Sequence, residues 1–178
     1  MKTFKDLLIE LNACSPAIVW AEDKNIEEVL RDSYRGDWLL WLAKKLDLPL
    51  NKLTLAKARC AKTVIHLMKD KRSVDAVNVA EKFGLDECTL EELNNAAAYA
   101  DAAVAYAAAA DVDAAYAAAA AAYAAYADAA AAAAAYAAYA DADAYAYARN
   151  KNRQKTSDIC VEILGQLLID AVNNNLKK

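Results

Sequence analysis

Apolar residues in the first half of the chain recur at three- and four-residue spacing, the period of an α-helix with one buried face. Leu53, Ala56, Cys60, Val64 and Leu67 form one such stripe; Trp38, Trp41 and Leu42, with Leu46 nearby, form another. Both stripes are expected to face a core. Local signals bound the elements. Thr3 and Ser15-Pro16 mark helix starts, and Pro suits the first helical position because its missing N–H is not needed there. Asn25 with Glu28, and Thr89 with Glu92, have the spacing of capping boxes. Gly36 is expected to close a helix before Asp37, and Leu48-Pro49 to end the next. Asn51 then starts a long helix to about Lys69, and Ser73 opens another that stops at Gly84. The predicted helices lie near 4–13, 16–22, 26–33, 37–46, 52–69, 74–83 and 90–110, with a closing helix that contains "SDICVEIL".

The pattern then changes character. From Leu85 to Leu164 there is no Gly and no Pro, and most of that span is Ala, Tyr and Asp. One unbroken helix would run about 120 Å at about 1.5 Å per residue. Tyrosine phase argues against it. The heptapeptide "YAAYADA" occurs twice, thirteen residues apart, and at about 100° per residue the copies would face opposite sides of a single rod. Divided near the aspartates, the tract is more coherent. Tyr99 and Tyr106 share a face with Asp101 roughly opposite; Tyr116, Tyr123 and Tyr126 share a second; Tyr136, Tyr139 and Tyr147 share a third. Asp111 or Asp113, and Asp128, suit N-caps. The tract is therefore predicted to fold back as about three alanine-rich helices, with the Tyr stripes directed inward. Alanine favours helix and lets backbones approach closely, tyrosine supplies apolar area, and aspartate keeps the outer face wet.

Together these patterns predict an all-α protein, a single-domain multi-helix bundle over residues 1–178. Its parts are a mixed-composition helical region (1–93), the Ala/Tyr/Asp tract (94–148) and a closing helix (149–178). Composition sharpens this reading. Much of the 58% hydrophobic content is alanine, and three Gly and two Pro are too few for a turn-rich β protein. A net charge of −4 leaves no nucleic-acid footprint. The start, "MKTFKDLLIEL", carries charges where a signal peptide needs an apolar run, and aspartates interrupt the alanine tract, so a cytoplasmic protein without a membrane segment is expected. Cys14, Cys60, Cys88 and Cys160 are widely spaced and lack zinc-ligand spacing; reduced, mostly packed thiols are expected.

Candidate chemistry is sparse. Arg59, Lys62, His66 and Lys69 fall within about an 80° arc if one helix carries them all. Such a strip could receive a phosphate, a nucleotide or an acidic protein surface. A charged helix face is more often solvated, or here paired with tract aspartates. His66 has neither a second metal ligand nor a nucleophile beside it in sequence. Arg35-Gly36-Asp37 reads as a turn into the Trp helix, with Asp37 near its positive end. No set of residues defines a reaction, so neither enzymatic activity nor a cofactor or metal is expected.

The blocks "GDWLLWLA", "LTLAKARCAKTVIHL", "AVNVAEKF…TLEELNNAA", the Ala/Tyr/Asp tract and "SDICVEIL", in that order, resemble a group of alanine-rich, all-helical bacterial immunity proteins. That group is associated with toxin systems and mobile elements. The tract in that group often includes Arg, whereas this one holds only Asp as its charged residue until Arg149. The resemblance implies an inhibitor that binds a partner toxin without turnover. Tyr116, Tyr123, Tyr126 and Asp128 would then be the candidate partner surface if their face points outward. Two alternatives accompany this reading. One is a phage or mobile-element protein that sequesters a small anionic ligand such as a nucleotide on Arg59, Lys62 and Lys69, with Arg35 or Trp side chains contributing. The other is a structural homo-oligomer paired through alanine faces.

Overall fold

The computed structural model describes residues 2–68, 70–107 and 142–177. Among them are eight α-helices: α1 (Phe4–Glu10), α2 (Ser15–Trp20), α3 (Ile26–Asp32), α4 (Gly36–Lys45), α5 (Leu50–Lys62), α6 (Lys71–Gly84), α7 (Leu90–Ala107) and α8 (Ala142–Leu176), with a 3-10 turn at Ile65–Leu67. No strand occurs among the described residues, so the expected all-α class is observed. No described helix is long and apolar enough to cross a membrane.

Three predicted helix starts, at Thr3, Asn25 and Thr89, are present at atomic detail. Asn25 Oδ1 accepts from the Glu28 N–H at 2.9 Å, while Glu28 Oε2 accepts from the Asn25 N–H at 2.9 Å. Thr89 and Glu92 reproduce the exchange before α7, and Thr3 makes the same box with Asp6 before α1. Helix ends use an unexpected device. Asn12, Asp47 and Asp86 all have positive φ, and no glycine does. At each, the next residue donates five residues back, for example Leu48 N–H to the Ala43 carbonyl at 3.0 Å. These are left-handed helix caps built on Asn and Asp, whose short polar side chains tolerate that conformation. They explain how a helical chain terminates so often with three glycines.

Glycine is spent instead on close approach. Gly36 does not close α3, which ends at Asp32; it opens α4. A Cβ there would lie 2.7 Å from the Thr156 carbonyl carbon and 2.9 Å from the Ser157 nitrogen, so the missing side chain lets α8 cross against the start of α4. Gly84 similarly abuts the Leu55 backbone, with a built Cβ 2.6 Å from its Cα.

Two layers meet at α5. On one side α1, α3, α4 and α8 enclose the main core, in which Leu7, Ile26, Leu164, Leu168 and Val172 are fully buried. On the other side α6 packs through Ala61, Met68 and Val77, and through Ala58, Ala80 and Leu93, which brings in α7. Ala76 of α6 then meets Ala100 of α7. The stripe of Leu53, Ala56, Cys60 and Val64 is buried as expected, but α5 also buries Thr54, Leu55, Ala58 and Ala61 because helices cover it on two sides. The small residues make this sandwich sterically feasible.

Several expectations need correction. The helix predicted to reach Lys69 ends at Lys62. Thr63 Oγ1 donates to the Cys60 carbonyl at 2.7 Å, and the β-branched run Thr63-Val64-Ile65 disfavours continuation. Asp70, rather than Ser73, caps α6; its carboxylate accepts from the Arg72 N–H at 2.8 Å, and Ser73 is buried within the helix. Helix α8 already includes residues 142–148, which were assigned to the Ala/Tyr/Asp tract rather than to the closing helix. Tyr99 is 69% exposed, so this tyrosine does not point inward; α7 buries Leu93, Ala97 and Ala100 instead. The supposed turns near Asp111, Asp113 and Asp128 lie outside the described residues.

Candidate functional site: an aromatic cleft between α1, α2 and α4

Three short helices at the amino end leave a cleft. Phe4 and Leu8 of α1, Ala17 and Trp20 of α2, and Trp38, Trp41 and Leu42 of α4 are among the residues that line it, and its volume is about 410 Å³. The expected Trp stripe of α4 divides at this point. Leu42 is in the core, but Trp38 and Trp41 are only half-buried because the fully covered side of α4 is formed by Leu39, Leu40 and Ala43. Trp38 and Trp41 therefore line a concave surface, while Leu42 fills the interior beneath them.

The rings pack in a defined way. Trp20 meets Tyr34 edge-on with centroids 5.9 Å apart, and Trp38 lies 5.8 Å from Trp20 and 6.1 Å from Tyr34. Cations flank the cluster. Lys24 Nζ lies 4.9 Å from the centre of Trp20, and the Arg35 guanidinium lies 4.6 Å from that of Trp38. Such stacking is favourable because the ring face is negative. Arg35 is also clamped by Asp37: Arg35 Nε donates to Asp37 Oδ1 at 2.7 Å, and a guanidinium nitrogen pairs with the other carboxylate oxygen. The Asp37 hydrogen bond raises the Arg35 pKa further above its ordinary value, so the site keeps a fixed charge pair at its edge. Two carboxylate oxygens engage only two of the five guanidinium N–H groups, so the pair neutralises Arg35 without exhausting its donors.

The scaffold behind the cleft explains its order. The Ser33 carbonyl, just after α3, accepts from Ser157 Oγ at 2.9 Å and from Gln154 Nε2 at 3.3 Å, both on α8. Tyr34 and Arg35 follow immediately, so the long C-terminal helix fixes the connection that presents them. Cys14, at the start of α2, also lines the cleft and is exposed.

The basic strip has a different fate. Arg59 Nε lies 3.5 Å from Glu81 Oε1, its Nη1 lies 3.8 Å from Glu162 Oε1, and Lys62 pairs with the other oxygen of Glu81. Glu81 of α6 is thus shared by both cations. His66 sits exposed on the 3-10 turn beyond the end of α5, so the common arc is not formed by one helix. Lys69 lies outside the described residues, as do Tyr116, Tyr123, Tyr126 and Asp128. No group of three or more His, Cys, Asp or Glu able to hold a metal occurs among the described residues.

The sequence singled out Trp38 and Trp41 as a core-facing stripe and Arg35 and Asp37 as a turn, with Arg35 or Trp only as accessories to an anion site, and did not bring in Trp20, Tyr34 or Lys24. A signal was present: all three Trp, and the one Tyr that precedes the alanine tract, fall within residues 20–41. The helical period could not reveal their meeting, because they come from two helices and a connection.

Fold and cleft together define an all-α framework with an aromatic, charge-flanked concave face. Protein-family models, curated proteins and solved structures show no match to the chain.

Proposed function

We propose that the chain is a non-enzymatic binding protein that engages a partner protein through the aromatic face built by Trp20, Tyr34, Arg35 and Trp38. The observation that carries this reading is the pre-ordered cluster at the surface. Tyr34 is 42% exposed, Val19 beside Trp20 is 69% exposed, and Arg35 is already held between Asp37 and Trp38. Trp, Tyr and Arg dominate binding hot spots, and groups fixed before contact lose less entropy on association. Immunity-type inhibition of a toxin inside a bacterial cell is the form of this function suggested by the sequence resemblance. The tract residues Tyr116, Tyr123, Tyr126 and Asp128 remain a second candidate surface for the same partner.

Photocrosslinking tests this assignment. With a benzophenone amino acid replacing Tyr34, a co-purifying protein should be captured in the protein's own cells, while the same probe at Asn94 on α7 should capture none. Capture at Asn94 and not at residue 34 would place the interface elsewhere.

The cleft volume supports a second reading, occupancy by a small ligand, since about 410 Å³ falls in the usual range of ligand pockets. The α5 strip is the other candidate for such a ligand, with Arg59 and Lys62 there paired with Glu81. The largely apolar wall of the cleft suits a ring better than a bare anion. A bound species of a few hundred daltons, lost on Trp38→Ala, is the result this second reading expects.

A further inference from the structure

Beneath the start of α4, the core holds two thiols that the binding face does not use. Cys60 of α5 and Cys160 of α8 are fully buried, with their sulfur atoms 3.7 Å apart. The Thr156 carbonyl oxygen is 3.6 Å from the Cys60 sulfur and the Gly36 carbonyl oxygen is 3.6 Å from the Cys160 sulfur, so three helices converge on the pair. The sulfurs are in van der Waals contact, and closing them to the bonding distance of about 2.05 Å requires a movement of under about 2 Å.

We propose that Cys60 and Cys160 are a disulfide-forming pair that joins α5 covalently to α8 when the protein meets a small disulfide of the glutathione type. One cysteine thiolate attacks the small disulfide, forming a mixed disulfide and releasing one small thiolate. The second cysteine thiolate then attacks the protein sulfur of the mixed disulfide and expels the second. Two cysteine S–H bonds and one small S–S bond are broken, and one protein S–S bond is formed. The protein loses two protons and two electrons, and the small disulfide takes them up to become two thiols with two new S–H bonds.

The closed fold controls the rate. The hydrogen bond to Cys60, together with burial, pushes the Cys160 thiol well above its ordinary pKa, and only the thiolate is an effective nucleophile. A mixed disulfide also needs more room than the core offers. Exchange therefore proceeds through transient separation of α8 from α5, and the closed fold then protects the finished bond. The bond would enclose α6, α7 and the residues that connect α7 to α8, tying the far end of that long loop to the α4–α5 framework. Closing so long a loop restricts the unfolded chain strongly.

The test uses the full-length folded chain with glutathione disulfide, both in buffer and in urea below the unfolding transition. Alkylation followed by peptide mapping should find Cys60 linked to Cys160, and Tm should rise by at least about 5 °C and return on reduction. Bond formation should be faster in urea, and Cys60→Ala should abolish both the linked peptide and the shift. Free Cys60 and Cys160 after prolonged exposure in urea, separate mixed disulfides at both positions, or a linked form with a lower Tm would each overturn the proposal.

Discussion

At the residue scale, the three glycines make different demands despite their shared chemistry. Gly36 lies against the backbone of Thr156 and Ser157, which cannot move away as a flexible side-chain tip can. Gly165, inside α8, has only Val161 Cγ1 at 3.8 Å and Leu30 Cδ1 at 3.9 Å near a built Cβ, which is ordinary contact. Gly36→Ala should therefore destabilise the fold by about 1–3 kcal/mol through overpacking. Gly165→Ala should stabilise it by roughly 0.5–1 kcal/mol, since alanine is the better helix former. Equilibrium denaturation of the two variants checks both signs. The contrast was not legible in the sequence: Gly36 looked like a stop signal, and nothing local announced that a helix some 120 residues later would cross there.

The element scale is where the sequence spoke most clearly. The Asn25–Glu28 and Thr89–Glu92 boxes form as expected because each is complete within four residues. Two of the three boxes depend on an ionised carboxylate with a lowered pKa. Asp6 is lowered chiefly by the Thr3 backbone N–H, and Glu92 chiefly by that of Thr89. A carboxylate with a depressed folded-state pKa stabilises the fold above its unfolded value and loses that contribution as pH falls through the folded one. Stability should thus decline as pH drops below about 4, through the lowered folded-state values. Thr3→Ala and Thr89→Ala should each flatten the decline only in part, because the backbone N–H to the carboxylate remains and only the hydroxyl bond is lost, while costing about 0.5–2 kcal/mol at neutral pH. Urea denaturation across that pH range measures both effects. Elements fixed by distant partners were less legible. Helix α5 was read as having one inward stripe, yet α6 and α8 cover it on two sides, and the Thr63 backbone interaction ended it short of His66.

For the whole molecule, the candidate site is a product of assembly. The Trp spacing in α4 correctly announced one aromatic face, but periodicity within a helix cannot say whether that face meets a core or a cleft. Trp20 reaches it from α2, Tyr34 from the connection after α3, and α8 holds that connection through Ser33. Arg59 and Lys62 also depend on assembly: their carboxylate partners Glu81 and Glu162 come from helices before and after the alanine tract.

Binding of a protein partner by the aromatic face is the proposed function of this assembly. Native mass spectrometry tests it most directly, comparing the wild-type chain with Trp20→Ala/Trp38→Ala after gentle recovery of each from the protein's own cells. With helical circular dichroism unchanged between them, the wild type should carry a second protein at fixed stoichiometry and the double variant should be bare. Retention of the same complex by the variant, or recovery of the wild type only as a homo-oligomer, would contradict the account.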